Sequence, residues 1–534
     1  MNIYDDLDLF AAINRRLEFV WEHLGLSKDP EESLPSRLTM IQLCDPRGSF
    51  LIWLIITGQY PTFFEIQRFH GRIEVAGLDV AVQEYLVSRS QDSRYRKFIY
   101  GVEFVSSKNL QLVDVSNTYT NPFVTGIQRV VREILRVKKG ANVSLLMFNA
   151  NDRIFLEIDY STFEASEAND APTAGGSPDR LTKPRRLINF MHTFVTRLDA
   201  SPRRRMLKRF LFPFARKMKS ILSVWDKRSI QHKMMDSETP NRILNLFVLD
   251  QTWTLMDIAN NDGTIEIYQA LVEWEMIRFH VVLYDFIPLF HAWTAGAGTP
   301  LLYNKYLRLV LLADRVVTIS ELVAEQARLV TKAFRLERDS WSSRPSSIRG
   351  LNLPSGVKGI SAGEFLKKRS SIVVLGSIEP RKNLWQIFDS LEILHRQHID
   401  TETILIGNAG WENDQILGRL NALQNLGVDC SRRSRTSDSE LRQIVGSASV
   451  VIFVSEAEGF GLPVIEALSL GTRIIVSDIR PLNEWRGDWV TCVPLGNPTM
   501  LAEEILKHLE APVGNSRPPY SKVTWQEWDT ALFG

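Results

Sequence analysis

Two glutamates, Glu458 and Glu466, flank a glycine-containing turn in the last part of the chain, with seven residues between them. The apolar run at residues 450–454 predicts a buried strand before this turn, and a short helix is expected after it. The amino-terminal end of a helix attracts phosphate, and Gly459 and Gly461 let a ligand approach the backbone closely. Because two carboxylates would repel a bare anion, the pattern favours a ligand that carries hydroxyl groups as well as phosphate.

The same turn has a second interpretation, in which both glutamates are solvated charges on an ordinary strand-to-helix connection. However, the segment EGFGLPVIE resembles the E-x7-E signature of retaining nucleotide-sugar glycosyltransferases of family 4, the glycosyl transferases group 1. These enzymes have the GT-B architecture. The resemblance implies an α/β fold with two Rossmann-like domains facing across a cleft, preceded in this chain by a mainly helical amino-terminal module.

The resemblance also implies roles for the residues of this turn. Glu458 would orient the donor sugar, and Glu466, in the first turn of the helix, would hold the ribose hydroxyls. The remaining donor-binding positions would shape the sugar pocket, namely Gly459, Phe460, Gly461 and Leu462.

Two cations, Arg381 and Lys382, stand directly before a predicted helix that Asn383 is placed to cap. Fixed positive charges beside the positive end of a helix dipole predict an anion-binding loop. In the family that GSIEPRKN resembles, the matching arginine and lysine hold the donor diphosphate, where they would stabilise charge on the leaving group. Two solvated loop cations are the alternative interpretation.

The segment TGIQRVVREI resembles the opening loop of the first domain in a subgroup of the same family. It places Gly126 and Arg129 at the start of a helix that Thr125 is spaced to cap. The resemblance implies that Gly126 faces the donor phosphates, and Arg129 is a candidate contact for sugar or acceptor. Simple packing of this helix is the alternative.

A later strand leads into YDFIPLFH, so Asp285 follows the carboxyl end of that strand, where open α/β sheets bind ligands. The family often carries a His–Asp pair at this position. This chain has Tyr284 there, so the histidine role does not transfer, and His291 is a candidate substitute for contact with sugar or acceptor. Alternatively, Asp285 only caps the following helix.

The chain has 534 residues, 44% of them hydrophobic and 23% charged, as expected for a soluble globular protein of about three domains. Its net charge of +1 gives no overall field that would select nucleic acid as a partner. Three widely separated cysteines predict neither a disulfide framework nor a metal site, and favour a reducing cytoplasm. The acidic first residues predict no secretory signal, and the most apolar window, residues 50–57, is too short to span a bilayer.

We expect a helical module at residues 1–108, an amino-terminal Rossmann-like, acceptor-side domain at 109–355, and a carboxyl-terminal donor-binding domain at 356–534. The apolar run at 242–249 predicts a strand of the first sheet. The interval 334–358 is rich in Ser, Arg, Pro and Gly and predicts the linker between the domains. The segment YSKVTWQEW resembles the closing helix of the family, which crosses back to the first domain.

Residues 180–228 form a strongly basic insertion that contains 15 Lys and Arg against two Asp, with aromatic residues interleaved. Each cation near an anionic leaflet contributes about 1 kcal/mol. We expect this segment to dock on the inner face of the membrane, where a lipid-linked acceptor would be presented. A solvated helical hairpin packed on the first domain is the alternative.

These features predict a retaining hexosyltransferase with Asp285, Lys382 and Glu458 as catalytic residues. The partners would be a nucleotide-sugar donor and a glycan or lipid-linked acceptor, with the donor as co-substrate and no cofactor. No metal is predicted, because the D-x-D at residues 6–8 follows no apolar strand and is interpreted as a helix start. The resemblance of TGIQRV and YDFIPL points to transfer of mannose or rhamnose in surface polysaccharide assembly.

Two other classes of protein would retain the same motifs. One is a nucleotide-sugar-binding protein of this fold without catalytic activity, and the other is a nucleotide-sugar epimerase or hydrolase.

Overall fold

The computed structural model describes the chain in a series of stretches, to which every structural statement below refers. They are residues 6–26, 33–90, 100–107, 109–120, 126–138, 142–168, 243–258, 262–296, 298–337, 347–350, 371–434 and 436–510. The basic insertion at 180–228, Thr125 and the predicted closing helix at 520–528 lie outside these residues.

The amino-terminal region is helical, as the sequence predicts. Its described helices are α1 (Leu7–His23), α2 (Leu34–Cys44), α3 (Gly48–Thr57), α4 (Phe63–Ala76) and α5 (Leu78–Ser90). Asp6 begins α1 by accepting a hydrogen bond from the Leu9 amide at 3.1 Å, so the acidic pair here starts a helix as expected. The buried Arg16 of α1 donates to the carbonyl oxygens of Ile55 and Val102 at 2.6 and 3.2 Å. The Ile55 carbonyl lies in the last turn of α3, where carbonyl groups have no partner within the helix, and the Val102 carbonyl belongs to β1, so Arg16 ties the two elements together.

The first Rossmann-like domain contains a seven-stranded sheet. Its strands are β2 (Gln111–Asp114), β3 (Val143–Asn149), β4 (Ile154–Ile158), β6 (Gln251–Leu255), β7 (Ile277–Leu283), β8 (Arg315–Thr318) and β9 (Ser347–Gly350). The spatial order is β4-β3-β2-β6-β7-β8-β9, and every pairing is parallel except that of β3 with β4. A separate parallel pair joins β1 (Val102–Ser106) to β5 (Ile243–Phe247).

Two expectations about this region were wrong. The run predicted as a strand of the main sheet at 242–249 supplies β5, whereas the next strand, β6, joins the main sheet. Residues 1–108 are mainly helical, as predicted; they also contain β1, and the helical region shares one hydrophobic core with the sheet. The predicted linker 334–358 also begins with the end of a helix and includes the edge strand β9.

Helices connect these strands and bring several residues to the edge of the sheet. The described helices of this domain are α6 (Ser116–Thr120), α7 (Gly126–Lys138), α8 (Tyr160–Ala168), α9 (Asp262–Glu273), α10 (Ile287–Phe290), α11 (Thr299–Leu311) and α12 (Glu321–Glu337). A short 3-10 helix, Ala292–Thr294, follows α10.

A buried carboxylate fixes the segment after β2. Asp257 accepts hydrogen bonds from the amide and the hydroxyl of Thr118, in α6, at 2.8 and 2.9 Å. Asp114, at the end of β2, accepts from the Ser116 amide at 2.8 Å. Burial raises the pKa of the Asp257 carboxyl to about 7. These contacts fix the start of the connection between β2 and α7.

The second domain contains a six-stranded, fully parallel sheet. Its strands are β10 (Ser371–Leu375), β11 (Glu402–Ile406), β12 (Cys430–Arg433), β13 (Val450–Phe453), β14 (Ile474–Ser477) and β15 (Val490–Val493). The order β12-β11-β10-β13-β14-β15 reverses direction between β10 and β13, as in a Rossmann fold. The described helices are α13 (Leu384–Arg396), α14 (Asp414–Asn425), α15 (Asp438–Ser447), α16 (Leu462–Ser469) and α17 (Pro498–Glu510).

The predicted fold class is confirmed: two Rossmann-like α/β domains face each other, and a mainly helical region precedes them. Within the described ranges, no helix combines the length and apolar character needed to cross a bilayer.

Candidate active site

The loops after β10 and β13 lie side by side, because the order of the second sheet reverses between these two strands. Ligands of open α/β sheets bind in the crevice formed at such a point. The loop after β10 carries Arg381 and Lys382 in a 3-10 turn, Pro380–Lys382, directly before α13. The loop after β13 carries Glu458. The sheet therefore brings together two motifs that are more than seventy residues apart in sequence.

Asn383 does not cap α13 as predicted. It adopts a left-handed conformation with φ of 49°, and its side chain makes no capping hydrogen bond. Instead, Nδ2 donates to Gln386 Oε1 at 2.7 Å. The amino-terminal amides of α13 therefore lack this side-chain partner.

Glu458 is held between the two cations. Its Oε1 accepts hydrogen bonds from Arg381 Nη1 at 2.8 Å and from Lys382 Nζ at 2.6 Å. Arg381 also donates to Glu379 Oε1 and to the Ala457 carbonyl oxygen, both at 2.8 Å. Burial alone would raise the pKa of the Glu458 carboxyl, but the two neighbouring cations lower it to about 2. Glu458 is therefore a carboxylate at neutral pH.

The turn between the two glutamates depends on a glycine. Gly461 has a φ of +99°, and an added Cβ there would lie 2.4 Å from Leu482 Cδ2. Leu462 is the first residue of α16, and Phe460 is buried with its ring edge against Trp485.

Glu466 lies in the second turn of α16, and not in the first as we expected. It forms an ion pair with Arg129 of α7, which belongs to the opposite domain. Both side chains are about one-third exposed. Gly126 is the first residue of the same helix.

Asp285 reaches the cleft from the first domain, immediately beyond β7. Its Oδ1 accepts a hydrogen bond from the Ile287 amide at 2.9 Å, so it does hold the start of α10, as the alternative interpretation proposed. Burial raises the pKa of the Asp285 carboxyl, although the Ile287 hydrogen bond and the nearby Arg381 oppose this change. His291 ends α10 and faces the same cleft.

The two domains touch closely at Gly459. A Cβ atom at this position would lie 2.2 Å from the Tyr284 carbonyl oxygen. Ser320 precedes α12 and accepts a hydrogen bond from the Val323 amide at 3.3 Å, and its hydroxyl also donates to the Gly459 carbonyl oxygen at 2.6 Å. Two ion pairs cross the same interface, one between Arg480 and Glu325 at 2.8 Å and the Arg129 pair described above.

A cavity of about 200 Å³ lies where the domains meet. It is lined by Asp285, Phe286, Ile287, His291, Leu322, Gln326, Glu456, Ala457, Glu458, Ile479 and Arg480. Three predicted residues, Asp285, His291 and Glu458, therefore share one cavity. Arg381 and Lys382 contact Glu458 without lining the cavity, and Glu466 pairs with Arg129.

Sequence reasoning missed three polar residues of this cavity, namely Gln326, Glu456 and Arg480. Glu456 lies two residues before Glu458, where the recognised EGFGLP segment begins, and this closeness in sequence could have identified it. Gln326 and Arg480 lie on α12 and just beyond β14, where no sequence pattern marked them. Among the described residues no group of three or more His, Cys, Asp or Glu could hold a metal ion.

Residues 360–522 match the family model of the glycosyl transferases group 1. The carboxyl-terminal domain belongs to the glycosyl transferases group 1 family. This agrees with the resemblance carried by EGFGLPVIE and RKN.

Several curated relatives are similar to parts of this chain. The serotype-specific mannosyltransferase WbdA of Escherichia coli is 25% identical over 40% of this chain and 28% of its own length. The O-antigen chain mannosyltransferase B of Escherichia coli is 30% identical over 21% of this chain and 30% of its own length. The GDP-mannose:cellobiosyl-diphosphopolyprenol alpha-mannosyltransferase of Komagataeibacter xylinus is 32% identical over 21% of this chain and 28% of its own length. Each of these matches thus spans less than a third of the relative.

One similar solved structure is that of a mutant of S. aureus TarM in complex with UDP and other ligands. Its sequence is 13% identical to this chain, and the TM-score is 0.41. The match covers 53% of this chain and 55% of that chain.

Proposed function

We propose that this chain is a retaining glycosyltransferase that moves a hexosyl group from a nucleotide diphosphate sugar to a hydroxyl of a glycan or lipid-linked oligosaccharide in surface polysaccharide assembly. One observation carries the proposal. At the point where the second sheet reverses, Arg381 and Lys382 contact Glu458, which in turn lines a cavity with Asp285 of the opposite domain.

The cluster around Glu458 supports a way in which the donor would bind. A diphosphate arriving at the start of α13 would compete with Glu458 for Arg381 and Lys382, because both cations are now neutralised by carboxylates. Glu458 would then accept hydrogen bonds from sugar hydroxyls. The cations would interact more strongly with the leaving diphosphate as its charge develops, which lowers the barrier to transfer.

Retention would follow if the acceptor hydroxyl attacked from the face that the diphosphate leaves, with the departing phosphate oxygen taking the proton. In that scheme Asp285 would position the sugar or the acceptor. A double displacement would instead need a carboxylate free to act as nucleophile, whereas Glu458 is engaged by two cations. The anomeric configuration of the product, read from its NMR coupling constants, tests retention.

The relatives support a mannose donor. Three curated relatives are named as mannosyltransferases, and one of these names specifies GDP-mannose. GDP-mannose is therefore the first donor to test, with rhamnose donors next.

A thermal-shift screen against GDP-, UDP- and dTDP-sugars tests the donor site directly, since a ligand at 100 times its Kd adds about 2.7 kcal/mol of stability. We expect stabilisation by one nucleotide class, followed by sugar transfer to an acceptor in the presence of EDTA. Donor binding without transfer to any acceptor would indicate a binding protein, and release of free nucleotide without an acceptor would indicate a hydrolase.

We also propose that residues 180–228 hold the protein at an anionic membrane surface. Co-sedimentation with liposomes that contain or lack anionic lipid tests this. The proposal is wrong if the intact protein binds neither kind of liposome.

A further inference from the structure

The backbone of Asp285 lies beyond the end of its strand. β7 ends at Leu283, whose carbonyl oxygen accepts a hydrogen bond from the Ile319 amide at 3.3 Å. Asp285 follows two residues later, so the ladder of the sheet does not fix its peptide. A carboxylate that positions a reacting group must be held to within about 0.5 Å. Groups outside the sheet therefore have to hold this residue.

A tyrosine of α11 supplies one such group. The Tyr303 hydroxyl donates a hydrogen bond to the backbone carbonyl oxygen of Asp285. Tyr303 is only 5% exposed, and its ring meets the edge of the Phe286 ring at 6.3 Å between ring centres. Burial and the nearby Asp285 raise the pKa of Tyr303, so its hydroxyl stays protonated and donates at neutral pH. Packing thus fixes the phenol, and the phenol fixes the peptide.

The residue before Asp285 is anchored in a similar way. The Tyr284 hydroxyl donates to the Met256 carbonyl oxygen at 2.7 Å, and the Tyr284 side chain is 3% exposed. This tyrosine occupies the position where the family often has a histidine. In this chain its ring belongs to the core of the first domain. Two buried phenols, one on each side of the peptide, therefore hold consecutive residues at the end of β7.

We propose that Tyr303 is a positioning residue for Asp285 in the transfer reaction. Its hydroxyl holds the peptide that carries the Asp285 carboxylate, whose Oδ1 accepts from the Ile287 amide at 2.9 Å and which lines the cavity between the domains. The second domain limits the same residue from the other side, because a Cβ added at Gly459 would lie 3.0 Å from Asp285 Cβ. This proposal rests on the proposed glycosyltransferase function.

Two matched substitutions in α11 test the role of the Tyr303 hydroxyl. Tyr303→Phe removes only this hydroxyl, so the Asp285 carbonyl group loses a donor while the ring stays in place. Tyr306→Phe makes the same change one turn further along the helix, where the hydroxyl lies 3.5 Å from the Val282 carbonyl oxygen and donates at most weakly. Both rings are buried in the same core, and circular dichroism melting checks that both variants are folded.

Hydrogen–deuterium exchange tests the contact itself, without any substrate. A peptide that covers residues 284–290 should exchange about threefold faster in Tyr303→Phe than in the unmodified protein, because the Ile287 amide is held by the Asp285 side chain. Tyr306→Phe should exchange like the unmodified protein. Equal exchange of this peptide in the two variants would exclude the Tyr303 hydroxyl as its support.

Steady-state kinetics test the role in the reaction. Tyr303→Phe should lower kcat about tenfold, because Asp285 is no longer held in the reactive geometry. The Kd of GDP, UDP or dTDP, whichever the thermal-shift screen identifies, should stay unchanged, since Arg381 and Lys382 lie in the other domain. In the background of Asp285→Asn, the additional substitution Tyr303→Phe should have no further effect on kcat, because the hydroxyl acts through the carboxylate.

Three kinetic outcomes would overturn the proposal. Tyr303 is not a positioning residue if Tyr303→Phe and Tyr306→Phe have the same kcat, or if nucleotide binding weakens by the same factor as kcat. It also acts by another route if Tyr303→Phe lowers kcat equally in the presence and absence of Asp285→Asn. Failure of every nucleotide sugar to bind and to be transferred would instead contradict the proposed function, and the exchange experiment would still test the contact of Tyr303 with Asp285.

Discussion

Glu466 and Arg129 form an ion pair across the cleft, so the second glutamate of the E-x7-E motif has a partner in the opposite domain. A nucleotide whose ribose binds at Glu466 must share this carboxylate with the guanidinium or displace it. Because both side chains are about one-third exposed, solvent screens the pair and it contributes at most about 1 kcal/mol.

Arg129→Ala should therefore tighten nucleotide binding by up to about fivefold, since the competing cation is lost. Isothermal titration with GDP or UDP at 50 and 500 mM salt measures this, and the difference from the unmodified protein should shrink at high salt. Weaker binding by the variant would show that Arg129 contacts the ligand itself. Arg328→Ala, which breaks an exposed pair with Glu321 on α12, is the control.

Lys382→Ala should lower turnover on the order of a hundredfold, because the charge developing on the leaving diphosphate loses a fixed cation. Steady-state kinetics with the donor found in the thermal-shift screen measures kcat. Lys507→Ala, which removes an exposed lysine on α17, should leave kcat unchanged. Near-normal turnover of Lys382→Ala with every activated sugar would remove the role assigned to this lysine.

Glu458→Gln should destabilise the protein by about 3 kcal/mol at pH 7, because Arg381 and Lys382 lose a buried carboxylate partner. The pKa of Glu458 is lowered to about 2 in the folded protein, so its stabilising contribution is present above about pH 4.5 and is lost as the pH falls toward 2. Urea unfolding at pH 7 and pH 3.5 should show a smaller difference between variant and unmodified protein at the lower pH. If the difference in stability were the same at both pH values, this would contradict the pairing of Glu458 with Arg381 and Lys382.

Gly459→Ala should separate the two domains, because the added Cβ would lie 2.2 Å from the Tyr284 carbonyl oxygen. We expect lower activity, a larger radius of gyration by small-angle scattering, and a loss of about 1–3 kcal/mol of stability. Gly418→Ala is a matched control in α14, where a Cβ meets no atom within 4 Å. This second substitution should stabilise the helix by about 0.5–1 kcal/mol. Equal scattering from both variants would argue against the contact.

Asp257→Asn should stabilise the protein at pH 8 and have little effect at pH 4. The pKa of Asp257 is raised to about 7 by burial, so the favourable protonated form is fully present below the unfolded pKa near 4 and is lost as the pH rises through 7. An asparagine can still accept from the Thr118 amide. Urea unfolding should show a gain of about 2–4 kcal/mol at pH 8. A difference in unfolding free energy that does not change with pH would contradict the raised pKa of Asp257.

The sequence determined the elements that carry the donor motifs, because these depend on local patterns. An apolar run before a glycine turn, with Pro463 in the first turn of the next helix, was enough to predict β13 and α16. Arg381 and Lys382 were placed directly before a helix in the same way. The glycosyl transferases group 1 resemblance lay in these same short segments, and the family match to residues 360–522 confirms it.

Local pattern failed where pairing or packing decided the outcome. Residues 243–247 and 251–255 both form short strands, and only the arrangement of the strands shows that the first pairs with β1 and the second with β2. Asn383 has the side chain of a helix cap, yet its left-handed backbone turns it toward Gln386.

The tertiary structure alone decided which groups meet. Glu458 was recognised from its neighbours in sequence, but its two cations come from a loop 76 residues away, and Gln326 joins the same cavity from the other domain. Such contacts depend on the strand order of two sheets and on the packing between domains. Hydrophobic periodicity specifies which face of an element is buried, and it carries no information about which distant element covers that face.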